Sequence, residues 1–142
     1  MFTSMSTSPS AAYAKVGIET GVIAADPHKL ILMLFDGALL AISSATVQMR
    51  GGETPEKGKS ISKAIEIIDS GLKASLDFAT GGELAARLGA LYDYMCARLL
   101  FANLHNNEAA LREVAGLLQE IKGAWEEIAR DPAVLSGTPA AA

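Results

Sequence analysis

The run Gly58-Lys59-Ser60 carries the residue types with which phosphate-binding loops hold nucleotides. Such a loop needs four residues between its two glycines and a strand before the first one. Here five residues separate Gly52 from Gly58, and the preceding sequence has the pattern of a helix. The motif therefore fails, and the lysines around it, Lys57 among them, are predicted to lie on the solvent-exposed face of a helix.

His28 and His105 are the candidate metal ligands. Helical bundles that bind two iron ions place Glu-x-x-His on two of their helices. The residues three positions before these histidines are Ala25 and Ala102, so this motif is missing. No other ligand set stands at metal-binding spacing. Both histidines are predicted to be surface or capping residues, and neither a metal nor another cofactor is expected.

The remaining candidates for catalysis also lack partners. Cys96 has no base at a recognisable spacing and is expected to fill space in a helix, buried or half-buried. Asp93, between two tyrosines, is expected at the rim of an apolar cluster. Glu126 and Glu127 are adjacent on a helix and point apart, so they do not form a carboxylate pair. No catalytic residue is identified, and no enzymatic activity is predicted.

The segment Asp26–Met49 predicts the first of the helices that carry these residues. Asp26 can accept a hydrogen bond from a free amide of the first turn, and Pro27 suits the first helical position, where no donor is needed. Apolar residues cover more of this helix than the third of its circumference that one core requires. Something besides the core must therefore cover the rest.

Three further amphipathic segments follow, each bounded by glycine, proline or asparagine. The four predicted helices span 27–49, 54–77, 83–105 and 108–130. Thr54-Pro55 is predicted to begin the second helix, and Asn107 to cap the fourth. Trp125 lies on the apolar seam of the fourth helix and is expected to be buried against the first and third. The fold class is therefore predicted to be all-α, an antiparallel four-helix bundle with an N-terminal strap or short helix.

The strap is predicted from residues 11–25. Tyr13, Val16 and Ile18 make this stretch too apolar for a free tail, while Gly17 and Gly21 discourage a stable helix. The strap can either complete the core or dock reversibly, and the sequence leaves both alternatives open. The predicted domain organisation is a disordered tail at 1–10, the helical domain at 11–130 and a flexible tail at 131–142.

Composition limits the remaining classes of function. A net charge of −4 gives no electrostatic footprint for nucleic acid. A single cysteine excludes an internal disulfide and suits a reducing compartment. The N-terminus lacks the basic start and apolar run of a secretory signal, so none is expected. Asp36 within the first helix would cost about 2.5–3.5 kcal/mol at the centre of a membrane span, so membrane insertion is not expected.

Eight short motifs follow one another over about residues 12–130, and each occurs once. They are AYAKVGIETGV at Ala12–Val22, DPHKLILMLFDGAL at Asp26–Leu39, KAIEII at Lys63–Ile68, Ser75-Leu76-Asp77, GGELA at Gly81–Ala85, LYDYM at Leu91–Met95, ANLHNN at Ala102–Asn107 and AWEEI at Ala124–Ile128. In these motifs the sequence resembles the FliS family of flagellar export chaperones. The departures are small: Phe35 stands where tyrosine is common, and Cys96-Ala97 stands where a basic residue is common.

The resemblance implies a cytosolic helical bundle that binds the disordered C-terminal segment of flagellin. Members of the family keep flagellin from polymerising prematurely and assist its delivery to the flagellar type III export apparatus. The resemblance also implies that the strap occupies part of the binding surface in the free state. Export-gate or regulatory proteins of the flagellum are further candidate partners, and nucleic acid is not expected as one.

The surplus apolar surface of the strap, the first helix and the third helix is where a partner is expected to bind. A bundle with such a surface can hold amphipathic segments as helices in grooves. The predicted contact residues are Tyr13, Val16, Ile18, Leu30, Met33, Leu34, Leu40, Tyr92, Met95 and Leu99.

Two other classes of protein are weighed against a chaperone. A histidine phosphotransfer bundle needs an exposed histidine in the middle of a helix, and His105 at a helix end is a poor candidate. A self-assembling bundle could close its spare apolar face in a homodimer. A homodimer of the free protein stays an open alternative.

Overall fold

The computed structural model of the chain describes residues 26–129, and every regular element within them is helical. The helices are α1 (Pro27–Arg50), α2 (Thr54–Glu66), α3 (Phe78–His105) and α4 (Glu108–Ala129). Between α2 and α3 the chain passes through a π-helical turn, Ile67–Leu72, and a 3-10 turn, Lys73–Ser75. The predicted all-α fold is confirmed. The predicted tails, residues 1–10 and 131–142, and the strap within residues 11–25 lie outside the described residues.

Neighbouring helices run antiparallel, as their short connections require. The first turn of α1 meets the last turns of α4 where His28 stacks on Trp125, and the end of α1 meets the start of α4 where Arg50 pairs with Glu108. α1 and α3 each pack against both α2 and α4, so α1 and α3 lie diagonally across the bundle. This arrangement leaves the outer sides of α1 and α3 facing away from each other.

Two of the predicted helix caps are confirmed. The backbone N–H of Lys29 donates to Oδ1 of Asp26 at 2.8 Å, at the start of α1. The backbone N–H of Ala110 donates to Oδ1 of Asn107 at 2.9 Å, at the start of α4. The prediction for α2 is wrong by one residue, because Thr54 is already helical and Glu53 precedes it without a side-chain cap.

Regular α-helix in α2 ends earlier than predicted, at Glu66 rather than near residue 77. The wider π-helical turn that follows includes Gly71, which lies directly against the Leu34 side chain of α1. A β-carbon at Gly71 would be only 3.1 Å from Cδ2 of Leu34. Because Gly71 has no side chain, α1 can approach the π-helical turn closely. The amphipathic pattern of the sequence does not predict this contact.

α3 begins earlier than predicted, at Phe78 instead of near Glu83. Oδ1 of Asp77 accepts a hydrogen bond from the backbone N–H of Thr80 at 3.1 Å and so caps a first turn. The predicted break lies inside the helical run, at Gly82, whose φ of 54° and ψ of −128° are not helical. A positive φ of this kind is readily adopted only by glycine.

The core is built from the apolar seams of all four helices. The largest fully buried side chains are Phe35, Ile61, Ile68, Met95, Leu99, Leu111, Leu118 and Val114. The expectation that Trp125 is buried is only partly met, because its side chain is half-buried. Leu84, which follows the break at Gly82, is exposed. The indole Nε1–H of Trp125 donates to the backbone oxygen of His28 at 3.0 Å, which holds the ring at the edge of the core against α1.

The prediction that the lysines of α2 all lie on a solvent-exposed face is wrong for Lys57. It is 3% exposed, whereas Lys59 and Lys63 on the same helix are exposed. Its Nζ donates to the backbone oxygen of Asn103 at 3.0 Å and to Oδ1 of Asn106 at 2.5 Å. The ammonium group therefore satisfies acceptors at the C-terminal end of α3, where carbonyls lack partners within their own helix.

Among the described residues, α1 is the one helix long and apolar enough to cross a membrane by length and composition, with a mean hydropathy of 2.0. Six of its residues are buried in the bundle, including Leu34, Phe35 and Ile42. A core helix of a bundle has this composition for that reason alone. The expectation that α1 is not inserted in a membrane stays a prediction.

Candidate partner-binding surface

The predicted contact residues divide into three groups. Tyr13, Val16 and Ile18 lie outside the described residues. The side chains that the bundle buries in its core are Leu34, Tyr92, Met95 and Leu99. The side chains that reach its surface are Leu30 and Met33, both half-buried, and Leu40, which is 69% exposed.

The four buried side chains cannot touch a partner unless the bundle opens, so the accessible surface has to be sought elsewhere. They point inwards because α1 and α3 each carry two apolar faces, and these four belong to the face that meets the other helices. The partner contacts themselves stay a prediction. The two apolar faces of each helix are similar in sequence, and no residue pattern distinguishes the one that is buried.

The outer face of α3 carries an exposed apolar stripe over the second half of the helix. We name it the α3 stripe. Its members are Tyr94, Ala97, Leu100, Phe101 and Leu104. Leu104 is 79% exposed, the largest value among the exposed large apolar residues of the described chain. The steps from Tyr94 to Ala97, Phe101 and Leu104 are three, four and three, which places these side chains along one side of the helix.

A polar cluster fixes the edge of the α3 stripe that faces α4. The Tyr94 hydroxyl donates to a carboxylate oxygen of Glu113, and Nε of Arg98 donates to the other oxygen at 2.8 Å. The Arg98 guanidinium also lies 4.7 Å from the centroid of the Phe101 ring. Hydrogen bonds from Tyr94 and Arg98 lower the pKa of Glu113, and the bond to Glu113 raises the pKa of Tyr94. These contacts hold both aromatic rings in place at the surface.

A second apolar surface lies between α1 and α4. We name it the α1–α4 groove. Its volume is about 530 Å³, and it is lined by Leu39, Leu40, Ile42, Ser43, Thr46, Val47, Arg50, Leu111, Arg112, Ala115 and Gln119. Leu40 and Val47 are exposed on its α1 wall. Toward the start of α1, Nζ of Lys122 pairs with Asp36 at 2.7 Å. At the other end lie Arg50 and Arg112. The groove thus has an apolar middle between charged groups.

The cysteine and the histidines make packing contacts in the described bundle. Burial raises the pKa of the half-buried Cys96 thiol to about 11, so the thiol stays protonated at neutral pH. The His28 ring stacks on Trp125 with centroids 4.5 Å apart. His105 is exposed at the end of α3 and lies against Phe101. Within residues 26–129, no three histidine, cysteine or acidic side chains come together as a metal site.

A rim position for Asp93 agrees with its place in the structure. Its carboxylate is exposed and pairs with Nζ of Lys73 at 2.7 Å, between α3 and the 3-10 turn. The bond to Asp93 raises the pKa of Lys73. The neighbouring Tyr92 is buried, which raises its pKa to about 12.

Comparison with known proteins identifies the family. A family model described as flagellar protein FliS matches residues 9–132 of the chain. The chain belongs to the FliS family. The resemblance seen in the sequence motifs is thereby confirmed. FliS proteins are chaperones and not enzymes, which agrees with the predicted lack of enzymatic activity.

Three relatives show how far the similarity extends. The chain is 53% identical over 117 residues to the flagellar secretion chaperone FliS of Salmonella typhimurium, across 82% of this chain and 87% of that protein. It is 44% identical over 124 residues to the flagellar secretion chaperone FliS of Escherichia coli K12, across 87% and 91%. It is 47% identical over 116 residues to the flagellar secretion chaperone FliSB of Pseudomonas aeruginosa, across 82% and 91%. The chain thus belongs to a family whose members include flagellar secretion chaperones.

The sequence indicated surplus apolar surface on α1 and α3, but the contact residues predicted on α3, Tyr92, Met95 and Leu99, are buried. Leu104 was absent from the predicted contacts, although its spacing from Tyr94, Ala97 and Phe101 is regular. That spacing was the available signal. It was hidden because Met95 and Leu99 have an equally regular spacing on the opposite side of the same helix.

Proposed function

We propose that this FliS protein acts in the bacterial cytoplasm and binds the disordered C-terminal segment of flagellin. It keeps that segment from polymerising prematurely and assists its delivery to the flagellar type III export apparatus. The observation that carries the proposal is the α3 stripe, an exposed apolar face on a bundle whose core is already closed. Membership of a family of flagellar secretion chaperones supports a flagellar client.

The spacing of the α3 stripe suits a helical client. Side chains at steps of three and four form a continuous strip on which the apolar face of a second helix can lie. Tyr94 and Phe101 supply rigid aromatic surface, and aromatic residues are common among the few side chains that dominate binding energy. A client that is amphipathic but disordered when free would be ordered by this strip.

Coupled ordering also explains how a chaperone can release its client. Ordering a disordered segment on binding costs about 2–5 kcal/mol or more of the gross interaction energy. A large apolar contact can therefore have a moderate affinity. Export requires both a large contact and a moderate affinity, because the client must be shielded in the cytoplasm and then released.

Titration calorimetry with a synthetic peptide of the C-terminal segment of flagellin from the same organism tests the proposal. We expect a one-to-one complex and a clearly negative heat capacity change, since apolar surface is buried. Binding should weaken only slightly with salt, because apolar contacts dominate. The absence of binding, or an affinity that collapses between low and moderate salt, would overturn it.

A matched pair of variants tests the α3 stripe itself. Leu100→Gln should weaken binding roughly tenfold, the effect of losing one apolar anchor of an interface. Leu84→Gln is the control, because Leu84 is on the same helix and 65% exposed, against 59% for Leu100, but lies outside the stripe. Equal effects of the two substitutions would contradict a client on the stripe.

A homodimer is the alternative occupant of the same surface. Sedimentation at several protein concentrations, with and without the flagellin peptide, distinguishes the two. A dimer that persists in excess peptide would place a second copy on the stripe. Export-gate or regulatory proteins of the flagellum stay predicted partners, and the same variants can be assayed against them.

A further inference from the structure

The Arg50 end of the α1–α4 groove carries more positive than negative charge. The Glu108 carboxylate accepts hydrogen bonds from Nε of Arg50 at 2.9 Å and Nη2 of Arg50 at 2.5 Å. The same carboxylate accepts one from Nη1 of Arg112 at 3.0 Å. Two guanidinium groups thus share one carboxylate, and both arginine side chains are mostly exposed.

Glu108 holds the two guanidinium groups in fixed positions without neutralising both. Its pKa is lowered, first by the hydrogen bond from Arg50, so it stays ionised at neutral pH. Each guanidinium has five N–H donors in a rigid plane, and the pair with Glu108 uses only some of them. The groove therefore has an apolar middle, with Leu40 and Val47, and a preformed anion-binding end.

The ligand that complements this end is the C-terminal turn of a helix. Such a turn combines apolar side chains, backbone carbonyls without partners in their own helix, and the terminal carboxylate. Its negative dipole end and the carboxylate both favour nearby cations. Arginine forks match carboxylate geometry and can also donate to free carbonyls. An acidic side chain in the middle of a helix would not bring the free carbonyls.

We propose that the α1–α4 groove binds the last turns of the client, with the client's terminal carboxylate held by Arg112 and Arg50. This inference rests on the proposed function, in which the client is the C-terminal segment of flagellin. It assigns the end of that segment a position and an orientation. The segment would enter along Leu40 and finish beside Arg50.

A peptide with a free C-terminal carboxylate, compared with the same peptide carrying a C-terminal amide, tests the proposal on the full chain. Amidation removes one negative charge and leaves every apolar side chain in place. We expect amidation to weaken binding to the unaltered protein about tenfold, as expected for the loss of a charge-assisted hydrogen bond.

Arg112→Gln should weaken binding of the free acid by a similar factor and abolish the difference between acid and amide. Arg87→Gln is the matched control. Arg87 is also an exposed arginine four residues after its glutamate partner, Glu83, but it lies on α3 away from the groove. The control should retain the full preference for the acid.

Three results would overturn the inference. The acid and the amide could bind the unaltered protein equally well, which would leave the proposed function standing and remove only the carboxylate site. The preference for the acid could persist in Arg112→Gln, which would place the carboxylate elsewhere. Leu40→Gln could dissociate a dimer of the free protein without weakening peptide binding, which would make a second copy the occupant of the groove. If neither peptide binds, the proposed function fails as well.

Discussion

Lys57 and Leu104 lie close together at one end of the bundle, and each is found where its side chain is least expected. The lysine is buried, and the leucine is the most exposed large apolar residue of the described chain. Leu104 directly follows Asn103, whose carbonyl receives a hydrogen bond from Lys57. Hydropathy alone would predict an exposed Lys57 and a buried Leu104.

The difference shows that the two surfaces serve different needs. The corner around Lys57 has to satisfy acceptors at the end of α3, and an ammonium group with three donors does so. The α3 stripe has no such need, because the core on the opposite side of α3 is already filled by Met95 and Leu99. Apolar residues that the core does not require remain available for a partner.

Removing Lys57 should produce the largest loss of stability. In Lys57→Met, the backbone oxygen of Asn103 and Oδ1 of Asn106 lose a buried donor, which should cost about 1–3 kcal/mol of unfolding free energy. Urea denaturation measures it. Lys59→Met, next to it but exposed, should stay within about 0.5 kcal/mol. Equal midpoints for the two variants would mean that the buried lysine is no more important than a surface one.

Substitutions of Asn106 should cause a smaller loss of stability. Comparing two of them separates the contribution of backbone strain from that of the side-chain hydrogen bond. Its φ of 50° is in the left-handed region, and its side chain accepts a hydrogen bond from Lys57. Asn106→Ala loses the acceptor and strains the backbone, at an expected cost of about 1–2 kcal/mol. Asn106→Gly should cost less, because glycine adopts this φ freely. Equal losses of stability in the two variants would assign the whole effect to the hydrogen bond, which both substitutions remove.

Leu104→Gln should leave stability almost unchanged, within about 0.5 kcal/mol, because an exposed side chain contributes little to the core. The same substitution should reduce the binding of a hydrophobic dye by the free protein, since it interrupts the α3 stripe. Thermal unfolding and dye fluorescence on one sample measure both quantities. A large drop in melting temperature would show that Leu104 is part of the core after all.

The ion pair at the edge of the stripe should have the smallest effect on stability, and this effect should disappear in acid. The pKa of Glu113 is lowered below the ordinary value of 4.5, so its stabilising contribution is present above that pH. The contribution is lost as the pH falls through the lowered pKa. The free energy of unfolding, measured from neutral pH to below pH 4, should therefore fall less steeply for Glu113→Gln than for the unaltered protein. Parallel curves would show that Glu113 is not stabilised in the folded state.

The sequence by itself determined the helical fold, two of the helix caps and the family. Periodicity and capping residues act within one helix, so α1, α3 and α4 could be expected near their observed positions. The caps at Asp26 and Asn107 depend on residues three positions apart, which is why local reasoning found them. The break at Gly82 could also be predicted, but the helical turn before it and the π-helical turn at Gly71, which packs against Leu34, could not.

Only the tertiary structure decided which apolar face of a helix is covered. A pattern of three and four residues fixes the direction of a side chain about its own helix axis, but not what lies opposite. α3 has two such faces, so Met95 and Leu104 are equally regular in sequence and opposite in burial. Lys57 is buried because its acceptors belong to the end of α3, far along the chain from α2. Contacts across such distances are settled by packing, and no local pattern encodes them.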